Sequence, residues 1–123
     1  MNYLAMIQLM CEQLLAIYSE NEQRSLMRIW ADDQSLELYR KLLSEPEFNL
    51  SDQQAMSFKT FVLELSGHKP YQYILGYADF FSLRLEVNPS TLIPRPETEE
   101  LVQWVIERYQ TTKRPLTVLD VGT

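Results

Sequence analysis

The sequence has few of the residues that build metal sites and disulfides. Its 123 residues include one cysteine, Cys11, and one histidine, His68. A single cysteine excludes an intrachain disulfide and fits a reducing compartment, so we expect a cytoplasmic protein. One cysteine and one histidine also cannot complete the tetrahedral ligand set of a zinc site. We therefore expect no metal.

Long apolar runs are missing as well. The longest, at residues 3–7 and 14–18, have five residues each, whereas a membrane-spanning helix needs about 20. No basic segment precedes an apolar core near residue 1, which argues against a secretory signal. We expect neither a membrane partner nor secretion.

Positive charge is in short supply. The chain has 11 Lys and Arg residues against 17 Asp and Glu residues, for a net charge of -6. By count, about -4 falls on residues 1–69 and about -2 on the rest, so the acidity is spread along the chain. An acidic chain lacks the basic surface that binds phosphate backbones, and we expect no direct contact with nucleic acid.

What the chain does have, over residues 1–76, is helical periodicity. The first predicted apolar face is made by Leu4, Ile7, Cys11, Leu14, Leu15 and Tyr18. Further helices are predicted near 22–31 and 34–44, the latter with a face of Leu36, Tyr39, Leu42 and Leu43. Pro46 ends the third helix, because proline disfavours the α conformation in the preceding residue.

The fourth predicted helix has the clearest boundaries. Ser51 and Gln54 have the spacing of a capping box, and Gly67 suits the left-handed position that ends a helix. A fifth short helix opens with Pro70 at its first position and ends at Gly76. The short connections predict a small antiparallel bundle of about five helices.

Beyond residue 76 the period changes. Residues 83–87 alternate as a half-buried strand does, and residues 79–81 could pair with them through a turn near Ser82. A helix is predicted from Pro96, with Glu97, Glu99 and Glu100 near its positively polarised start. Its predicted buried face is made by Leu101, Val102, Val105, Ile106 and Tyr109.

Residues 116–121 form a nearly continuous run of apolar residues that favour β-structure, as in a strand buried on both faces of a parallel sheet. Asp120 lies near its end and Gly122 follows, which is how a Rossmann-like nucleotide site begins. Such a strand needs neighbouring strands and covering helices, and no residues remain to supply them. We therefore expect this chain to be the front part of a longer protein.

Four segments carry a resemblance to a known family: residues 69–76, 80–88, 92–101 and 118–123, the third reading LIPRPETEEL. In order and spacing they resemble the N-terminal portion of the peptide-chain release factor glutamine methyltransferases, the HemK or PrmC family. The resemblance is clear over 68–123, and residues 1–67 match only as a helical domain of suitable length. Ser82 replaces the family's usual turn glycine, and Tyr71 its usual leucine.

The resemblance implies a mainly α chain with three parts. Residues 1–76 would be a helical domain for substrate recognition, 77–91 a β-hairpin linker, and 92–123 the first helix and strand of a Rossmann-like, S-adenosylmethionine-dependent methyltransferase domain. The implied reaction methylates the side-chain amide nitrogen of the glutamine in the Gly-Gly-Gln motif of class I peptide chain release factors.

The resemblance also implies site residues. Asp120, Gly122 and Thr123 match the opening of the cofactor-binding motif, and Arg95 and Pro96 would lie near the substrate. The remaining glycines and the Asn-Pro-Pro-Tyr motif that holds the target amide are absent, so no catalytic residue is assigned and the chain alone should be inactive.

Plainer interpretations of these residues remain open. Asp120 could be an ordinary acid at a strand end, and Arg95 an exposed loop cation. The three glutamates after Pro96 fit helix-start charges better than catalytic acids. The alternative function is a stand-alone helical protein-binding module without catalysis. A methyltransferase for nucleic acid or a small molecule is disfavoured by the 92–101 segment.

Overall fold

The computed structural model describes residues 1–45 and 47–121. In that part the chain is mainly helical, as predicted, and a single antiparallel hairpin precedes the last helix. The elements are α1 (Tyr3–Leu14), α2 (Glu20–Gln34), α3 (Leu36–Ser44), α4 (Asp52–Ser66), α5 (Tyr71–Leu75), β1 (Tyr77–Phe80), β2 (Leu83–Glu86) and α6 (Pro96–Tyr109).

Side-chain caps set where the helices begin. The predicted capping box of α4 is confirmed: Ser51 Oγ accepts from the Gln54 N–H at 3.2 Å, and Gln54 Oε1 accepts from the Ser51 N–H at 2.9 Å. A second box, Ser19 with Glu22, starts α2. It lies upstream of the predicted start near residue 22, because these polar residues satisfy N–H groups that an uncapped first turn leaves free.

The hydrophobic core lies among the first five helices. Helix α1 packs against α2 and α4, α2 against α3, and α4 against α5. At its centre, the rings of Trp30 and Phe58 meet edge to face with centroids 4.9 Å apart. The Trp30 indole N–H donates to Ser57 Oγ at 3.3 Å, which satisfies its polar group inside the core.

The predicted buried faces of α1 and α3 are partly wrong. Leu4, Leu15, Leu36 and Leu43 are exposed. The buried residues of these two helices are Met6, Met10, Leu14, Leu38 and Leu42. Apolar residues cover more than one face of α1, so periodicity alone leaves the rotation of that helix open. Packing selects the methionine row, whose flexible side chains fill irregular gaps.

The end of α4 differs from the prediction by one residue. Gly67 has φ −81°, and His68 takes the left-handed conformation with φ 61°. The His68 N–H donates to the Leu65 C=O at 2.9 Å and the Lys69 N–H to the Glu64 C=O at 3.3 Å. This is the Schellman pattern centred on His68. Gly67 is the C-cap of α4, and the left-handed residue is the next one, His68.

Helix α5 begins at Tyr71, with Pro70 as its N-cap and not as its first helical residue. The helix ends at Gly76, as predicted, and Gly76 takes the left-handed conformation with φ 83°. The chain then enters the hairpin, where β1 pairs with β2 from Tyr77↔Glu86 to Phe80↔Leu83.

The hairpin turn consists of Phe81 and Ser82, with φ of 48° and 62°. Positive φ at both central residues is the pattern of a type I′ turn, whose twist matches that of paired strands. Leu83 and Leu85 were expected to be half-buried, yet both are exposed. The buried residues here are Ala78 and Val87, which lie at the base of the hairpin.

Helix α6 starts at Pro96 as predicted, but its apolar face is not buried. Leu101, Val105, Ile106 and Tyr109 are all exposed, as is Trp104. Residues 116–121 are exposed and form no strand. A strand needs a hydrogen-bonded neighbour, and the described part of the chain offers none, so the stripe of α6 has no sheet to cover it.

Among the described residues, no helix has both the length and the apolar character needed to cross a bilayer.

Candidate functional site

The predicted substrate-binding residues lie where α6 begins. Arg95 is its N-cap, with extended backbone (φ −97°, ψ 147°), and Pro96 is the first helical residue. The Arg95 C=O accepts from the Thr98 N–H at 3.0 Å. Both side chains are exposed. The structure therefore presents the Arg95 guanidinium to solvent at a rigid corner, which suits contact with a partner and equally suits a plain surface cation.

The loop that leads to this corner is held in place. Thr91 Oγ1 accepts from the Asn88 N–H at 2.9 Å, and Asn88 Oδ1 accepts from the Ser90 N–H at 2.8 Å. The Tyr73 hydroxyl of α5 donates to the Thr91 C=O at 2.5 Å. The segment before Arg95 is thus anchored to the helical part of the chain.

The other end of the corner is tied to the hairpin. Glu99 Oε1 accepts from the Phe81 N–H at 2.8 Å, across 18 residues of sequence. From the sequence, Glu99 was predicted only as a helix-start charge, which is confirmed. The contact with Phe81 was missed because no local pattern signals a hydrogen bond between such distant residues.

The base of the hairpin carries a polar cluster that the sequence did not indicate. Arg84 Nε donates to Asp79 Oδ1 at 3.2 Å, and the Arg84 guanidinium lies 3.8 Å from the centroid of the Tyr77 ring. Burial, followed by the Asp33 carboxylate beside it, raises the pKa of Tyr77 to about 12. Tyr77 is therefore protonated at neutral pH and links the hairpin to the end of α2, without the pKa of a general base.

Of the predicted cofactor residues, the structure describes only Asp120. Asp120 is exposed, and Gly122 and Thr123 lie outside the described residues. Neither a hydrogen bond nor an ion pair joins Asp120 to Arg95 within 1–45 and 47–121. A cofactor cradle needs convergent backbone N–H groups. One acid on an unpaired segment does not supply them, so the residues described here do not fit S-adenosylmethionine by themselves.

No group of three or more His, Cys, Asp or Glu side chains that could hold a metal ion occurs in the described part.

A groove of about 540 Å³ crosses the helical part between α2 and α5. Its lining includes Tyr18, Ile29, His68 and Tyr71. The volume lies within the range of small-ligand and side-chain pockets. Its aromatic lining and open shape suit insertion of a partner's side chain better than enclosure of a small molecule.

Comparison with known proteins identifies relatives. No protein-family model matches the chain. The chain is 39% identical over 119 residues to the release factor glutamine methyltransferase of Flavobacterium psychrophilum, which covers 91% of this chain and 40% of that protein. It is 41% identical over 119 residues to the protein of the same name from Streptococcus pneumoniae, covering 89% and 42%. With the Coxiella burnetii protein of that name it shares 39% over 82 residues, covering 67% and 29%.

These matches confirm the resemblance drawn from the four segments. The chain is a relative of the release factor glutamine methyltransferases, by a partial match. It spans about 40% of the length of the first two relatives. The similarity reaches further than predicted, because an alignment over 91% of the chain must include much of residues 1–67.

Proposed function

We propose that this chain is the N-terminal portion of a cytoplasmic protein methyltransferase that uses S-adenosylmethionine. Its substrate is the glutamine of the Gly-Gly-Gln motif in class I peptide chain release factors, methylated on the side-chain amide nitrogen. The observation that carries the proposal is the identity of about 40% over most of the chain to proteins named for that substrate. The 92–101 segment supports it.

The proposal divides the chain into three working parts. Residues 1–76 recognise the release factor, 77–91 link the two domains, and 92–123 begin the methyltransferase domain. In the complete enzyme Asp120, Gly122 and Thr123 open the cofactor site, and Arg95 and Pro96 lie at the substrate. The location of the buried core among the first five helices supports the first boundary.

The chemistry explains why recognition and positioning matter. An amide nitrogen is a weak nucleophile, because its lone pair is delocalised into the carbonyl. S-adenosylmethionine supplies a methyl group on a positively charged sulfur when bound. The protein must hold the nitrogen in line with that methyl group, so most of the catalysis comes from orientation and fixed dipoles. This chain contributes by gripping the substrate protein, and no nucleophilic side chain is required of it.

The acidic surface supports a protein partner with basic patches. Complementary charge mainly raises association rates and sharpens specificity, and its effect weakens with salt. The buried apolar side chains of the first five helices pack into their own core and are not available to a partner. Contact with a release factor therefore uses polar surface on the helical part.

The second candidate is a helical protein-binding module without catalysis. The described chain favours it in one respect: residues 1–75 enclose a core, while the apolar residues of α6 and 116–121 remain exposed. In this view the helical part binds a partner and the later segment does no chemistry.

A chimera separates the two candidates. The part of this chain that aligns with the Streptococcus pneumoniae relative would replace the matching segment of that protein. Mass spectrometry would follow methyl transfer from S-adenosylmethionine to a class I release factor. One added methyl on the Gly-Gly-Gln glutamine is expected. The unmodified relative is the positive control, and a release factor with Gln→Ala in that motif is the negative control. A folded chimera that binds the release factor but transfers nothing would favour the binding module.

A further inference from the structure

The tip of the hairpin is joined to α6 through one side chain. In a two-residue hairpin loop, the N–H of the first loop residue has no partner in the ladder. Here that residue is Phe81, whose N–H donates to Glu99 Oε1 at 2.8 Å. Glu99 is half-buried, whereas Glu97 and Glu100 are exposed. Within the described residues those two glutamates form neither a hydrogen bond nor an ion pair.

Two hydrogen bonds hold the chain on either side of the corner at Arg95. Before the corner, the Tyr73 hydroxyl donates to the Thr91 C=O. After it, Glu99 accepts from the backbone N–H of Phe81 at the hairpin tip. A groove of about 400 Å³ between the tip and α6 is lined by Phe81 and Trp104, so the tip and the helix are neighbours over more than one turn.

A role in the helix dipole does not by itself account for Glu99. Negative charge in the first turn stabilises a helix wherever it lies in that turn. Glu97 supplies such a charge, and no hydrogen bond joins it to the hairpin among the described residues. What distinguishes Glu99 is the acceptor that it offers to an N–H outside the helix, and hydrogen bonds to charged groups are among the stronger ones.

We propose that Glu99 is a positioning residue, whose carboxylate clamps the hairpin tip to the first turn of α6 and so fixes the direction in which α6 presents Arg95. The clamp concerns this chain alone. Only its consequence for substrate rests on the proposed function, in which Arg95 meets the release factor.

The test uses the full 123-residue chain. Amide exchange of Phe81, measured by NMR, reports the hydrogen bond directly. Glu99→Ala should speed that exchange about tenfold or more, because it removes a charged acceptor. Glu99→Gln keeps an acceptor oxygen without the charge and should stay within about threefold of the parent. Glu97→Ala removes a charge from the same turn and should leave Phe81 unchanged.

A distance measurement tests positioning separately from the hydrogen bond. Spin labels at Lys59 in α4 and Arg108 in α6, in a Cys11→Ala background, give the distribution of distances between the helical part and α6. Glu99→Ala should broaden it, Glu99→Gln should restore it, and Glu97→Ala should not alter it. The proposal is overturned if Glu99→Ala leaves both readouts at parent values, or if Glu99→Gln behaves like Glu99→Ala. Neither outcome depends on methyl transfer.

Discussion

At the scale of single residues, His68 is held in a conformation that suits glycine better. Its φ of 61° closes the Schellman pattern after α4, and the left-handed region costs a residue with a Cβ about 1–2 kcal/mol. We expect His68→Gly to raise the free energy of unfolding by about 1 kcal/mol, after allowance for the extra freedom of glycine in the unfolded chain. Urea unfolding followed by circular dichroism measures it.

The neighbouring glycine is the matched control. Gly67 has φ −81°, and a Cβ there would lie 3.4 Å from the Glu64 carbonyl oxygen. Gly67→Ala should therefore change stability by no more than about 0.5 kcal/mol. A large loss on Gly67→Ala, with no gain on His68→Gly, would show that the left-handed position lies at 67, as the sequence alone predicts.

Ser82 makes a second residue-scale prediction. It lies in the hairpin turn at φ 62°, a conformation that glycine adopts without steric cost. Ser82→Gly should stabilise the chain by about 0.5–1 kcal/mol, because it relieves the left-handed strain. Thermal unfolding gives the change. Ser90→Gly, at an exposed loop position without positive φ, is the control, and an equal gain there would mean that strain at the turn is not the cause.

At the scale of elements, the hairpin is joined to α2 through a group that titrates. The pKa of Tyr77 is raised from 10.0 to about 12. The unfolded chain releases this proton near pH 10, and the folded chain holds it until about pH 12. Stability from Tyr77 is therefore complete below pH 10 and is lost as the pH rises from about 10 to 12.

The measurement compares the parent chain with Tyr77→Phe, by urea unfolding between pH 9 and about 12. The parent should lose more stability than the variant across this interval, since phenylalanine has no proton to release. Tyr109→Phe, at an exposed position in α6, is the matched control and should follow the parent. Parallel curves for the parent and Tyr77→Phe would contradict the raised pKa.

The sequence specifies helix starts better than it specifies burial. The Ser51–Gln54 capping box and the end of α5 at Gly76 each depend on a few neighbouring residues, and the structure confirms both. The rotation of α1 and the exposure of α6 depend on which other elements are present to pack against. The Glu99–Phe81 and Tyr77–Asp33 contacts join distant segments, so no local spacing could predict them.

Residues 116–121 make the next element-scale prediction. The apolar segment is exposed and without strand partners, so its amides have no ladder to protect them. In hydrogen exchange, 112–121 should be the least protected part of the free chain, and the buried amides of α4 the most protected. Strong protection of 118–121 in a monomer would mean that the segment has a partner. Association of the chain would give protection that rises with concentration.

At the scale of the whole molecule, the described chain combines a part with a buried core and a part whose apolar residues are exposed. The helices α1–α5 share a buried core around Trp30 and Phe58, whereas α6 and residues 116–121 expose an apolar stripe and an apolar segment. These match the helix and strand that an α/β sheet would bury. Of the predicted site, Arg95 and Pro96 are placed on a rigid corner, while Asp120 stands apart. A cofactor site could not be derived from the described residues, because Asp120 lies on an exposed segment without a paired strand.

The helical part makes the last prediction, in the chimera with the Streptococcus pneumoniae relative. Under the proposed function, removing residues 1–76 should leave the cofactor site intact but lower kcat/KM for an intact release factor, because it removes the surface proposed to bind the substrate protein. A short Gly-Gly-Gln peptide does not reach the helical part, so its kcat/KM should change much less. The ratio of the two values, with and without the deletion, isolates recognition from chemistry. Raised salt should reduce the advantage of the intact chimera on the release factor and leave the peptide unaffected. An equal loss on both substrates would instead mean that residues 1–76 support the fold of the catalytic half.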